Sequence, residues 1–293
     1  MSLVQANGIQ LEVEKKGDHG NEAIVLIRGL GTQLIDWPMP FIDSLVDAGF
    51  YVVYFDNRDV GLSQNFDESG IPTMEKIASG EQQAAYSLHD MADDVVGVMD
   101  TLGIAKAHVF GISMGGMIVQ VLAAAHGDRL LSMIAVMSSS SRPGLPAATP
   151  EAWASLGGEP DEDAGLEAID LFHAEGLAIC GSPAYPQSLE ERLDIVRRRR
   201  ERNHNPGGVS RQMAAVVSIG SRVEMLASIT VPCMVIHGAD DPLIPKEGGE
   251  DIAACIPECD LHIIPGMGHN IPDGVIPILL ELVLGFCNKI RAK

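Results

Sequence analysis

The chain has 293 residues, 46% of them hydrophobic, which is enough for one large domain with a buried core and argues against disorder. Its formal net charge of −20 predicts repulsion from nucleic acid and from anionic membranes, so we expect neither as a partner. No apolar run approaches the roughly 18 residues that span a bilayer, and no basic segment with an apolar core opens the chain. The five scattered cysteines are typical of free thiols, so we expect a cytoplasmic protein without a metal site.

Short apolar runs alternate along the chain with longer helical patterns, which predicts an α/β fold with a mostly parallel sheet. The alternating segment 8–13 is typical of an edge strand, whereas the continuous apolar runs 23–27 and 51–55 are typical of buried parallel strands. The other predicted elements are a helix at 87–102, a strand at 108–110, a helix at 117–125, strands at 130–136 and 233–237, a helix at 246–255, a strand at 261–264 and a helix at 273–289.

Between the strands at 130–136 and 233–237 the pattern becomes helical, without a strand. We therefore predict an α/β core at residues 1–137 and 224–293, with a helical insertion at 138–223 after the sixth strand. Open α/β sheets place their active sites at the carboxyl ends of the strands, so the insertion is expected to form a lid there.

Four consecutive arginines, residues 197–200, lie in the insertion. We interpret them as a solvated helix face paired with Glu190, Glu191 and Asp194. The alternative interpretation is a clamp for a phosphate group.

The segment Gly111-Ile112-Ser113-Met114-Gly115 is a G-x-S-x-G motif between a predicted strand and an apolar, helix-prone run. This context is that of a nucleophile elbow, where glycines allow a turn so tight that its central serine is strained. Ser113 would then lie at a helix N-terminus, where the helix dipole and free N–H groups favour negative charge. A serine hydroxyl is a weak nucleophile, so a base must lie within hydrogen-bonding reach.

The base is expected to be a histidine that a carboxylate holds in one tautomer. His269 lies in a glycine-rich loop after the last predicted strand, and two acids, Asp240 and Asp241, follow the strand before it. We favour Asp241 because Pro242 fixes the turn that aims it, which leaves Asp240 as a surface or loop-capping carboxylate. The candidates Ser113, Asp241 and His269 then follow the chain order of the elbow fold.

Two backbone N–H groups must donate hydrogen bonds to the oxyanion of the tetrahedral intermediate. Met114 supplies one, and Leu30, in the loop after the strand at 23–27, is the best candidate for the other. Arg28 begins that loop and either pairs with a nearby carboxylate or contacts a carboxylate or carbonyl of the substrate. Arg28 and Trp37 are our candidate substrate-binding residues.

These motifs make the chain similar to the α/β-hydrolase superfamily along essentially its whole core. Residues 55–63 resemble the family's D-x-R-G-x-G-x-S loop, with Asp59 where glycine is usual, and Arg28 stands where the family usually has histidine. The Asp59 variant and residues 264–269 resemble the aclacinomycin methylesterase subgroup, whose members cleave a methyl ester from an aromatic polyketide. The resemblance implies an eight-stranded, mostly parallel sheet with helices on both faces and a helical cap after strand six. It also implies no cofactor, a triad of Ser113, Asp241 and His269, and oxyanion donors at Leu30 and Met114.

We therefore expect a serine carboxylic-ester hydrolase that acts through an acyl-enzyme. The insertion is poor in aromatic residues, and its apolar residues suggest a small to medium, largely apolar ester rather than a peptide. A lactonase, a C–C bond hydrolase, a perhydrolase-like haloperoxidase or a lyase would use the same triad. A ligand-binding receptor of this fold is a further alternative, which an intact triad disfavours. The expected partner is a small-molecule ester, and the oligomeric state stays open, a homo-oligomer included.

Overall fold

The computed structural model describes residues 2–157 and 165–292 of the chain. The strands are β1 Ser2–Ala6, β2 Ile9–Lys16, β3 Glu22–Ile27, β4 Phe50–Phe55, β5 Ala107–Ile112, β6 Leu130–Val136, β7 Cys233–Gly238 and β8 Asp260–Ile264. The helices are α1 Met39–Asp47, α2 Met74–Ser79, α3 Leu88–Thr101, α4 Met114–Ala125, α5 Pro150–Ala154, α6 Leu166–Ile179, α7 Leu189–Arg202, α8 Pro206–Ile219, α9 Val223–Leu226, α10 Glu247–Cys255 and α11 Ile276–Arg291.

One eight-stranded sheet runs through the described residues in the order β1-β2-β4-β3-β5-β6-β7-β8. The β1–β2 and β2–β4 pairs are antiparallel, and the other neighbours are parallel. The predicted mostly parallel, eight-stranded sheet is therefore confirmed.

The assignment of residues 8–13 to an edge strand is wrong, because β1 covers that edge. β1 buries only its last residue, Ala6, so its sequence carries little strand pattern. Asn7 and Gly8 both have positive φ, 47° and 78°, as the tight turn of a two-residue hairpin requires. The Asn-Gly pair was therefore the local signal for β1.

Helices cover both faces of the sheet because successive side chains of a strand point to opposite faces. Val25 of β3 belongs to a buried cluster that includes apolar residues of α3 and α4. Its neighbours Ile24 and Leu26 belong to a second cluster, which includes apolar residues of α1 and α11. The continuous apolar runs of the central strands are thus buried on both sides.

The helices α5 to α8 lie between β6 and β7 in the chain and contact the loops that follow several strands. Gln33, after β3, donates to the carbonyl oxygens of Arg199 and Asn203, both 2.9 Å away. His269, after β8, donates its backbone N–H to the carbonyl of Cys180 at 2.8 Å. The inserted helices therefore lie over the carboxyl edge of the sheet. Residues 158–164 of the predicted insertion, and residues 1 and 293 of the predicted core, lie outside the described residues.

The interpretation of residues 197–200 as a solvated face paired within its own helix is correct for one arginine alone. The ion pairs join Arg198 to Asp194, Arg197 and Arg200 to Asp170, and Arg199 to Asp36. Asp170 lies on α6 and Asp36 follows β3, so three of the four arginines tie α7 to other parts of the molecule. Helical spacing showed the neighbour at i–4 but could not show these distant carboxylates.

Candidate active site

Ser113 occupies the sharp turn between β5 and α4. Its φ of 54° and ψ of −118° lie outside the ordinary regions for a residue with a side chain. Its backbone N–H donates to the carbonyl of Val136 at 2.9 Å, which ties the turn to β6. A Cβ on Gly111 would lie 2.1 Å from the carbonyl oxygen of Gly115, and one on Gly115 would lie 2.2 Å from that of Ile27. The glycines are thus required for close backbone approach, as the motif predicts.

The structure brings the three predicted residues into one chain of hydrogen bonds. Ser113 Oγ lies 2.9 Å from His269 Nε2, and His269 Nδ1 lies 2.7 Å from Asp241 Oδ2. The residues follow β5, β8 and β7, whose carboxyl ends meet at one edge of the sheet. In this geometry the histidine can take a proton from the serine while its other nitrogen donates to the carboxylate.

Asp241 is buried, yet its environment favours the ionised form. Burial by itself raises the pKa of Asp241, but the charge of His269 and hydrogen bonds from His237 and His269 outweigh it. Together they hold the pKa well below its ordinary value. The other oxygen, Oδ1, accepts from the backbone N–H groups of Leu243 and Ile244, both at 2.9 Å.

The neighbouring acid, Asp240, has a different partner. Its Oδ2 accepts from the backbone N–H of Gly266 at 2.8 Å, in the loop that leads to His269. Asp240 thus caps a loop, as expected, while Asp241 faces the histidine.

The loop after β3 lies directly against the serine. A Cβ on Gly29 would lie 3.1 Å from the Ser113 Cβ, closer than ordinary van der Waals contact, so the absence of a side chain at Gly29 lets the loop pack against the serine. The carbonyl of Gly29 accepts from the backbone N–H of Thr32 at 3.3 Å, which closes a β-turn around Leu30 and Gly31. Leu30 therefore directly follows Gly29, the residue that packs against Ser113. Met114 directly follows Ser113 and is the first residue of α4.

Arg28 is buried beside this turn, and among the described residues its hydrogen bonds go to a hydroxyl and a backbone carbonyl rather than to a carboxylate. Its Nε donates to Thr32 Oγ1 at 3.3 Å and its Nη1 to the backbone carbonyl of Asp36 at 3.4 Å. Its guanidinium carbon lies 4.8 Å from the ring centroid of Trp37, in a cation–π contact. Burial lowers the pKa of Arg28 to about 10, although the charge of Asp36 opposes that change.

A cavity of about 850 Å³ opens between the core and the inserted helices. Ser113, His269, Leu30, Arg28 and Trp37 all line it, together with residues of α6, α7 and α8. The predicted substrate-binding residues therefore border the same space as the serine.

Sequence reasoning missed the side chains of the insertion that brace the site. Gln212 of α8 bonds to the loop that carries Leu30, with its Oε1 2.9 Å from the backbone nitrogen of Gly31. Ser182 Oγ accepts from the backbone N–H of Gly268 at 2.9 Å, next to His269. Neither residue belongs to a motif, so no local signal could have identified it.

Three further observations concern the part of the chain that the structure describes. It contains no group of three or more His, Cys, Asp or Glu side chains that could hold a metal ion. None of its helices is both long enough and apolar enough to cross a membrane. All five cysteines are free thiols.

The chain belongs to the alpha/beta hydrolase fold family, whose model matches residues 22–273. It is similar to the rhodomycin D methylesterase DauP of Streptomyces sp. (strain C5), at 26% identity over 99% of this chain and 98% of that protein. The predicted resemblance to methylesterases of this family is therefore confirmed.

Solved structures show the same fold across essentially the whole chain. The enol-lactonase from Burkholderia xenovorans LB400 is 24% identical with a TM-score of 0.73, covering 98% of this chain and 100% of that one. The meta-cleavage product hydrolase CumD from Pseudomonas fluorescens IP01 is 21% identical with a TM-score of 0.76, covering 99% and 98%. At these identities the likeness concerns the fold alone.

Proposed function

We propose that this protein is a serine carboxylic-ester hydrolase that acts on small to medium, largely apolar esters. The observation that carries the proposal is the chain of hydrogen bonds from Ser113 through His269 to Asp241, at the wall of the cavity between the core and the inserted helices. Similarity to a methylesterase over nearly the full length of both chains supports an ester as the substrate.

In the proposed reaction, Ser113 Oγ attacks the ester carbonyl while His269 Nε2 takes its proton. The N–H groups of Leu30 and Met114 donate to the oxyanion that forms. The intermediate then collapses, the alcohol leaves with the proton from His269, and the acyl group stays on Ser113. Water, deprotonated by His269, cleaves this acyl-enzyme and restores the serine. Asp241 accepts from Nδ1 throughout and stabilises the imidazolium.

The insertion acts as a cap in this proposal. Its helices provide much of the wall of the cavity, whose volume of about 850 Å³ suits a small to medium ester. Closing the site excludes bulk water, which strengthens the hydrogen bonds to the oxyanion.

Arg28 and Trp37 contact the substrate in this proposal. The buried guanidinium of Arg28 lies on the wall that also holds Ser113, and its hydrogen bonds to described residues go to neutral groups. It therefore favours an electron-rich oxygen of the substrate, either a carbonyl or a carboxylate. In the variant Arg28→Met, kcat/KM should fall more for a p-nitrophenyl ester that ends in a carboxylate than for a neutral ester of equal length. Equal losses for both esters would contradict contact with a carboxylate, and an unchanged kcat/KM for both would contradict contact with either oxygen.

The test of the main proposal is hydrolysis of p-nitrophenyl esters from acetate to decanoate by the wild type and by Ser113→Ala. We expect turnover by the wild type, with a chain-length optimum that reports the cavity size, and a loss of roughly 10³-fold or more in the variant. Ser132→Ala is the matched control, because Ser132 is buried in β6 and its hydroxyl lies 2.7 Å from His108 Nδ1, away from the cavity. Wild-type rates in Ser113→Ala, or no turnover of any ester by the wild type, would contradict the proposal.

A further inference from the structure

Gln212, on the inserted helix α8, spans two loops of the core. Its Oε1 accepts from the backbone N–H of Gly31 at 2.9 Å, and its Nε2 donates to the carbonyl oxygen of Arg58 at 2.8 Å. The side chain is fully buried, and its bond to the Arg58 carbonyl is shielded from water. A buried amide with both ends bonded holds its neighbours in a fixed arrangement.

The loop that Gln212 holds is the one that carries Leu30. Gly31 has a φ of +64°, and a Cβ at that position would lie 2.9 Å from Val209, so α8 packs directly on the turn. Core groups fix the start of the turn, since Asn57 Nδ2 donates to the carbonyl of Arg28 at 3.0 Å. Gln212, which belongs to the insertion, fixes the other end of the turn through its hydrogen bond with Gly31. The direction of the Leu30 N–H between these two attachments therefore depends on both.

Gln212 itself has little freedom to move, because the adjacent residue anchors the helix. Arg211 forms two hydrogen bonds with Asp59, at 2.7 and 2.8 Å, and both side chains are buried. A Cβ on Gly208 would lie 2.1 Å from the carbonyl oxygen of Asp59, which places the first turn of α8 in contact with the core. The helix thus presents Gln212 to the turn at a fixed distance.

We infer that Gln212 is a positioning residue that aims the Leu30 N–H at the oxyanion, so that the insertion completes the oxyanion hole. This inference rests on the proposed ester hydrolysis, and it gives the insertion a part in the chemical step besides enclosing the substrate. An oxyanion forms only in the transition state and in the tetrahedral intermediate, so loss of alignment should lower kcat and leave KM nearly unchanged.

The test compares Gln212→Met, which has a similar length and no polar amide, with the wild type and with Ser132→Ala. We expect kcat for p-nitrophenyl ester hydrolysis to fall by roughly 10- to 100-fold, somewhat less than the loss of a whole oxyanion donor, with KM within about twofold. Ser132→Ala also loses a buried hydrogen bond, so it shows the effect of lowered stability alone. Its kcat should stay near the wild-type value.

A second readout separates alignment from packing. An alkyl trifluoromethyl ketone adds to Ser113 Oγ and places its own oxyanion in the hole, whereas the corresponding alcohol binds without one. The dissociation constant of the ketone should rise in Gln212→Met by about the factor by which kcat falls, and that of the alcohol should not. Should the methionine variant not fold, Gln212→Asn, which is too short to reach both loops, takes its place.

Wild-type kcat in whichever variant folds, or unchanged affinity for the ketone, would overturn the positioning role while ester hydrolysis by the wild type stands. An absence of wild-type ester hydrolysis would instead contradict the proposed function, and the positioning role with it.

Discussion

At the scale of single residues, Asp241 combines burial with a carboxylate that stays ionised. Its two oxygens have separate tasks, since Oδ1 accepts from two backbone N–H groups and Oδ2 accepts from His269. The backbone bonds fix the carboxylate, and the carboxylate in turn fixes the histidine. This division of tasks explains why Asp241 and not the adjacent Asp240 faces the histidine.

Replacing Asp241 by Asn should lower kcat by ~10³–10⁴, because the amide can donate to Nδ1 and favour the wrong tautomer of His269. Steady-state kinetics on the p-nitrophenyl ester series would measure this loss. A variant with near-wild-type kcat would show that the carboxylate is dispensable.

Acid unfolding provides an independent measure of the same carboxylate. The pKa of Asp241 is lower in the folded than in the unfolded protein, where it is about 3.9. Its contribution to the free energy of unfolding is therefore complete above that unfolded value and is lost as the pH falls through the folded pKa. Denaturant unfolding of wild type and Asp241→Asn from pH 5 downward should show a stability advantage of the wild type that shrinks as the pH falls below about 4. An advantage that stays constant between about pH 4 and pH 2 would contradict the lowered pKa.

The residues of the site were predictable to different degrees. Ser113, Asp241 and His269 stand in local motifs whose loops follow predicted strands, so their positions could be read from the chain. Arg28 was identified, but its partners were not, because Thr32 Oγ1 and a backbone carbonyl leave no charge pattern in a sequence.

At the scale of elements, the strand–turn–helix unit around Ser113 depends on the absence of side chains at its glycines. Gly115→Ala would place a methyl group 2.2 Å from the carbonyl oxygen of Ile27, and backbone cannot move aside cheaply. We expect a loss of about 1–3 kcal/mol or more in the free energy of unfolding, together with loss of activity. Gly285→Ala, in open space on α11, should instead stabilise the protein by about 0.5–1 kcal/mol. Equal effects of the two substitutions in denaturant unfolding would contradict this account of the turn.

The docking of α8 on the core depends on Asp59, where the family usually has glycine. Asp59 has a φ of 68°, a backbone conformation that glycine would adopt without strain. Its carboxylate holds Arg211 through two hydrogen bonds and also accepts from the hydroxyl of Tyr86 at 2.8 Å. The strained residue is thus tolerated because its side chain anchors the insertion.

Asp59→Gly should lower the free energy of unfolding by about 3 kcal/mol, because Arg211 stays buried without its main partner. Arg211→Met in the same background should recover part of that loss, which a double-mutant cycle in denaturant unfolding would measure. Asp43→Asn, which breaks an exposed ion pair with Lys16, is the control and should cost less than about 1 kcal/mol. Additive effects of the Asp59 and Arg211 substitutions would contradict the anchoring role.

At the scale of the whole molecule, the sheet was predictable and the contacts between distant segments were not. Strands with continuous apolar runs, such as β3 and β4, are buried on both faces, and this burial dictates their composition. β1 was missed because it buries one residue, and three of the four arginines at 197–200 were misassigned because their partners are remote in sequence. Gln212 and Gly31 are 181 positions apart, and a single polar residue outside any periodic pattern does not predict such a distant partner.

Covalent labelling tests most directly our proposal that Ser113 is the nucleophile of an ester hydrolase. A fluorophosphonate ester should add one label per chain, located by peptide mass mapping on the segment that contains Ser113, and should abolish ester hydrolysis in proportion to labelling. Ser132→Ala should be labelled like the wild type, and Ser113→Ala should not be labelled. Labelling of Ser113→Ala at the wild-type rate, or a label on another residue, would contradict the claim.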